Sequence, residues 1–125
     1  MSLRIGIHVK AALTDAVSGG RVFPVVEPEG VAMPYVQFEC ETGEPTCSYD
    51  GPEEDNAKVT VRCVAVTYDK AVDMACAVRA ALEDVKTEYV GWSVTGCRLM
   101  KCSDEYLAPL PAYVETMVFD ITSTL

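Results

Sequence analysis

Six cysteines and a single histidine are the side chains best suited to nucleophilic or metal chemistry in this sequence. The cysteines are Cys40, Cys47, Cys63, Cys76, Cys97 and Cys102. None is separated from the next by only two residues, the spacing of a zinc knuckle or a redox dithiol; the nearest pairs are Cys97 with Cys102 and Cys40 with Cys47. A structural zinc site draws on two close pairs of Cys or His ligands, and the lone His8 cannot complete a second pair. A Cys–His nucleophile would need an oriented imidazole, yet no Asp or Glu lies within a helical turn of His8. His8 therefore reads as a partly buried or surface histidine. The sequence opens without a secretory leader, so the thiols read as reduced. Cys40, Cys63 and Cys97 fall inside apparent strands, where a thiol serves as a small apolar side chain.

Carboxylates are the other candidates. Between Glu39 and Asp55 stand Glu39, Glu41, Glu44, Asp50, Glu53, Glu54 and Asp55, with no Lys or Arg among them. General acid catalysis needs a carboxyl held in an apolar pocket. These acids are interleaved with Gly43, Pro45, Gly51 and Pro52, the composition of an exposed loop over 43–56. Such a segment keeps a protein soluble, meets a basic partner, or lines an acidic channel. No calcium-loop pattern, phosphate-binding loop, GxGxxG, HExxH or GxSxG motif occurs. No catalytic residue, metal site or cofactor is assigned, and the chain reads as a non-enzyme.

Charge narrows the partners. Ten Lys and Arg against 19 Asp and Glu give a formal charge of −9, which disfavours gripping a phosphate backbone or an anionic membrane. Half of the 125 residues are apolar, enough for one domain over residues 1–125 with its own core. No apolar run approaches the ~18 residues of a membrane span, and a soluble protein made in a cytoplasm is the expectation.

The elements follow from hydrophobic periodicity. Ile5, Val9, Ala12, Leu13 and Ala16 recur at three and four residues, predicting a helix from Leu3 to about Val17 that Gly19-Gly20 ends. Arg21 to Val26 is a short strand whose Pro24 confines it to an edge or an end. Tyr35 to Thr42 alternates Val36, Phe38 and Cys40 with polar residues, a strand with one wet face. Lys58 to Tyr68 does the same with Val59, Val61, Cys63 and Ala65 inward. Asp69 is the expected N-cap of a second helix reaching about Lys86, with Ala71, Ala75, Val78, Leu82 and Val85 as its buried stripe. Trp92 to Lys101 and Ala112 to Thr122 complete the set. The last strand is apolar on both faces, with Tyr113, Met117, Phe119 and Ile121 on one, so it is either central or covered by another subunit. The expected fold is α+β, in the order α-β-β-β-α-β-β. Hairpin links predict a largely antiparallel sheet of four to five strands with two helices on one face.

Several short motifs resemble one family. They are Gly19-Gly20-Arg21-Val22-Phe23-Pro24, Pro34-Tyr35-Val36 opening a strand, and the Tyr49-Asp50-Gly51-Pro52 loop. Val59-Thr60-Val61-Arg62-Cys63, Thr67-Tyr68 and the helix Ala71, Ala75, Val78-Arg79-Ala80-Ala81-Leu82 continue the series. In this order and spacing they look like the tail completion (tail terminator) proteins of long-tailed bacteriophages and prophages, over about half of the chain. The resemblance implies an α+β subunit of a ring, commonly a hexamer, at the head-proximal end of the tail tube. Its implied partners are copies of itself, the tail tube protein and head connector proteins. No catalytic residue, cofactor, specific nucleic-acid contact or membrane is implied. Such a subunit belongs to the virion tail, waits in the host cytoplasm before assembly, and can be monomeric in isolation. For the ring contact the apolar final strand offers Tyr113, Met117 and Phe119. For a lumen or an axial partner the acidic segment offers Glu39, Glu41, Glu44, Asp50, Glu53, Glu54 and Asp55, since an acidic wall repels DNA. The alternatives are another head-closure or minor tail component, or a small cytoplasmic α+β ligand-binding domain or enzyme.

Overall fold

A computed structural model describes residues 2–16, 22–24, 34–42, 54–84, 86–89, 91–107 and 112–124. Helix α1 (Ser2–Ala16) is followed by strands β1 (Val22–Pro24), β2 (Tyr35–Thr42) and β3 (Glu54–Ala65). Helix α2 (Tyr68–Leu82) leads to β4 (Thr87–Tyr89), β5 (Trp92–Leu107) and β6 (Ala112–Thr124). The strands form one sheet in the order β1-β2-β3-β6-β5-β4.

The α+β class holds, with two differences in the sheet. It has six strands, because Thr87–Tyr89, three residues too few to show a periodicity, pair with Trp92–Val94 as β4. Strand β1 lies parallel to β2, Val22 opposite Val36, so this link is no hairpin, while every other pairing is antiparallel. The proline-bearing β1 does occupy an edge.

Strand limits move where a partner strand outweighs local composition. β3 begins at Glu54 rather than Lys58, because Glu54 and Asp55 pair with Thr124 and Ser123 of the extended β6. It ends at Ala65, and α2 starts at Tyr68 with Thr67, not Asp69, as its N-cap. The Thr67 hydroxyl accepts from the Lys70 N–H at 3.3 Å. α2 closes at Leu82 rather than near Lys86: Glu83 turns extended, and Asp84 takes a left-handed φ of 60°. The Asp84 N–H then donates to the Cys97 carbonyl at 3.0 Å, tying the helix exit to β5. Val85 lies outside the described residues.

Ile5, Val9 and Leu13 of α1 and Ala71, Val78 and Leu82 of α2 are fully enclosed. They share one cluster with Val36, Val59, Val61, Cys63, Met117, Phe119 and Ile121 of the sheet. Strand alternation sends the intervening side chains to the opposite face. There Val64, Ala112 and Val114 form a second, smaller buried group with Tyr35 against it.

Candidate functional site

Met117 and Phe119 lie inside the subunit. Phe119 is 0% exposed and Met117 3%, both within the cluster that the helices cover. Strand β6 sits between β3 and β5, so its apolar inward row is satisfied by its own chain. That corrects the expectation of an oligomer contact through these two residues: neither keeps surface for a neighbouring copy. Tyr113, half-buried, packs its ring 4.9 Å from Tyr106 and 5.8 Å from Tyr68.

The same inward row carries Glu115 among its apolar residues, and Glu115 is buried. Register places it opposite Cys63 on β3 and opposite Asp104 on β5. Burial, then a hydrogen bond to Asp104 and the charge on it, push the Glu115 carboxyl up to about 7. Two hydrogen-bonded carboxyl groups must hold a proton between them. The Tyr68 hydroxyl, at the start of α2, donates to Asp104 Oδ2 at 3.2 Å. Burial and the Glu115 charge together push the Cys63 thiol up to about 12, which keeps it protonated and unreactive.

His8 stands elsewhere in the core. It is 2% exposed, so it is fully buried rather than partly so. Its orienting partner is not an acid but the Tyr89 hydroxyl, 2.7 Å from Nδ1. The Tyr89 ring stacks on Trp92 with centroids 4.3 Å apart. His8 Nε2 has no hydrogen-bond partner among the described residues, and burial lowers the imidazole pKa. No thiol or carboxylate contact to His8 accompanies this arrangement among the described residues, and a neutral core histidine accounts for it.

The acidic segment is divided between elements. Glu39 and Glu41 are exposed on β2. Arg62 Nη1 lies 3.3 Å from Glu39 Oε1. Glu54 and Asp55 belong to the start of β3, not to a loop. Glu44, Asp50 and Glu53 lie outside the described residues, as does Cys47. Of the other cysteines, Cys63 and Cys97 are buried, Cys40 is half-buried, and Cys76 and Cys102 are exposed; none is bonded to another. Cys97 faces the core while Cys102 is exposed further along β5. Among the described residues no group of His, Cys, Asp and Glu is placed to hold a metal ion, and no helix is long and apolar enough to cross a membrane.

Away from the second buried group, the face of the sheet opposite the helices carries polar residues ordered in rows. Register aligns Glu41, Lys58, Asp120 and Arg98 across β2, β3, β6 and β5, alternating in sign. The next row reads Glu39, Thr60, Val118 and Lys101. Neither the Asp104–Glu115 pair nor these rows stood out from sequence alone. An acid in step with Tyr113, Met117, Phe119 and Ile121 was the available signal for the first. The rows depend on register between strands far apart in the chain.

No family model matches the sequence, and no curated protein matches it. Among solved structures, a chain described as "Virion of native gene transfer agent (GTA) particle" is similar over 99% of this chain and 92% of its own. The TM-score is 0.67 and the identity 16%, so what the two share is the fold.

Proposed function

We propose that this chain is a structural component of a phage-like virion, acting as a tail completion protein that forms a ring at the head-proximal end of the tail. The observation that carries the reading is the end-to-end likeness to a chain of a gene transfer agent virion. The ordered motifs from Gly19 to Leu82, which resemble the tail completion family, add the finer role. In this role the chain stops tube polymerisation and offers the head connector a surface. The acidic stretch beyond β2 is assigned to the lumen or the axial partner, where negative charge keeps passing DNA from sticking. No reacting centre is required, and the buried His8 and Glu115 are parts of the core.

The test is tube growth. Purified chain added to polymerising tail tube protein should arrest elongation and appear as a ring at one tube end in electron micrographs. Tubes of unchanged length with bare ends would refute the terminator role. Binding to isolated head connectors without any effect on tubes would favour a head-closure component instead.

A further inference from the structure

Among the described residues both long edges of the sheet are only partly covered. β1 pairs with β2 at Val36–Phe38 alone, and β4 pairs with β5 at Trp92–Val94 alone. Among the described residues this leaves β2 one-sided from Glu39 to Thr42 and β5 one-sided from Thr95 to Leu107. Carried across β3 and β6, the open stretch of β2 lies level with Cys97 to Lys101 of β5. One register shift precedes that stretch of β5, between Val94 and Gly96, and a second falls within it, between Leu99 and Lys101. A bulge bends a strand and interrupts its pairing, so the first marks a limit to contact along this edge and the second twists the edge inside the window.

We propose that these two windows dock on each other between copies of the chain, β5 of one subunit beside β2 of the next. This inference rests on the ring reading above and names the contact that builds the ring. Three features converge on it. First, direction: β2 and β6 run one way and β3 and β5 the other, so a head-to-tail neighbour presents its β2 antiparallel to β5. Second, charge: Arg98 and Lys101 at one edge are level with Glu41 and Glu39 at the other. All four side chains stand on the face away from the helices, so Arg98 meets Glu41 of the next copy and Lys101 meets Glu39. Among the described residues Glu41, Arg98 and Lys101 have no ion pair, and Glu39 is held only by the half-buried Arg62. Third, symmetry: unlike edges meeting head to tail make a heterologous contact, the kind that closes into rings, whereas like edges would stop at a dimer. The neighbour's β1 limits the contact at its Phe38, which is level with Cys102 of β5, just past the bulge around Met100. A window of so few residues is a weak contact alone, suited to subunits that assemble on a tube end.

Zero-length carbodiimide coupling tests this directly. Within one chain Glu39 and Lys101 are three strand spacings apart, about 14 Å, beyond the reach of an amide formed without a spacer. A mixture of ordinary and 15N-labelled protein at high concentration should therefore yield Lys101–Glu39 or Lys101–Glu41 peptides of mixed label by mass spectrometry. Arg98→Glu and Glu41→Lys should each lower that yield by about tenfold, and mixing the two variants should restore it, because alternate subunits then carry opposite charges. Mixed-label peptides joining other surfaces, with none through Lys101, would overturn the edge contact while leaving a ring intact. Absence of any mixed-label peptide, with tail tubes present as well, would overturn self-assembly and this contact together.

Discussion

Glu115 and His8 pull the pH dependence of stability in opposite directions. In the unfolded chain Glu115 returns to an ordinary carboxylate pKa of about 4.3, whereas folding raises it to about 7. Below the lower value both states hold the proton, and its contribution to stability is complete. As pH rises the unfolded chain sheds the proton first, so that contribution drains away up to about 7. Glu115→Gln keeps a neutral hydrogen-bonding side chain at every pH. It should match the wild type near pH 4.5 and melt higher above pH 7, as followed by circular dichroism. Parallel melting curves would mean that the pair does not share a proton. His8 has the opposite sign: its folded pKa is lowered, so stability is lost as pH falls below about 6.5 and the unfolded imidazole takes up a proton. Tyr89→Phe keeps the stack on Trp92 but removes the hydroxyl at His8 Nδ1. It should cost about 1–2 kcal/mol in urea unfolding, the penalty for leaving a buried nitrogen unpaired. An unchanged midpoint would deny that bond any weight.

Caps and partner strands, more than periodicity, decided where elements begin. Thr67 accepts the Lys70 N–H, while Asp69 sits in the first turn and acts only through the helix dipole. Thr67→Ala should then destabilise by about 1 kcal/mol, and Asp69→Ala by less, in matched thermal melts. The reverse ranking would restore Asp69 as the cap. The helix faces were legible because Ile5, Val9 and Leu13 repeat every four residues, and the centres of β2 and β3 because they alternate. The start of β3 was not legible, since Glu54 and Asp55 are strand only by pairing with Ser123 and Thr124, nearly seventy residues on. β6 was recognisable as a strand, but apolar residues on both its faces fit a central position as well as a subunit contact. Its place between β3 and β5 resolved that choice, and with it the roles of Met117 and Phe119. The alternation also runs through Glu115, where an acid in an apolar row carried the signal of a buried carboxyl.

At the scale of the whole molecule two electrostatic effects compete, and salt separates them. Each subunit carries a formal charge of −9, so copies repel at long range, over about 10 Å at 0.1 M salt and further in dilute buffer. The attraction between Arg98 and Glu41, and between Lys101 and Glu39, acts only once edges touch. At that distance it is screened less than the repulsion between whole subunits. Raising salt from about 10 mM to about 150 mM should therefore strengthen self-association, by removing repulsion faster than it weakens the edge pairs. Well above that range the pairs weaken in turn, giving a maximum at intermediate salt in sedimentation velocity. Arg98→Glu adds two negative charges to the net and takes away an attractive partner, so its curve should climb with salt and show no maximum. If wild-type association instead falls steadily from the lowest salt upward, contact pairs outweigh the net charge, and the acidic surface does not restrain assembly.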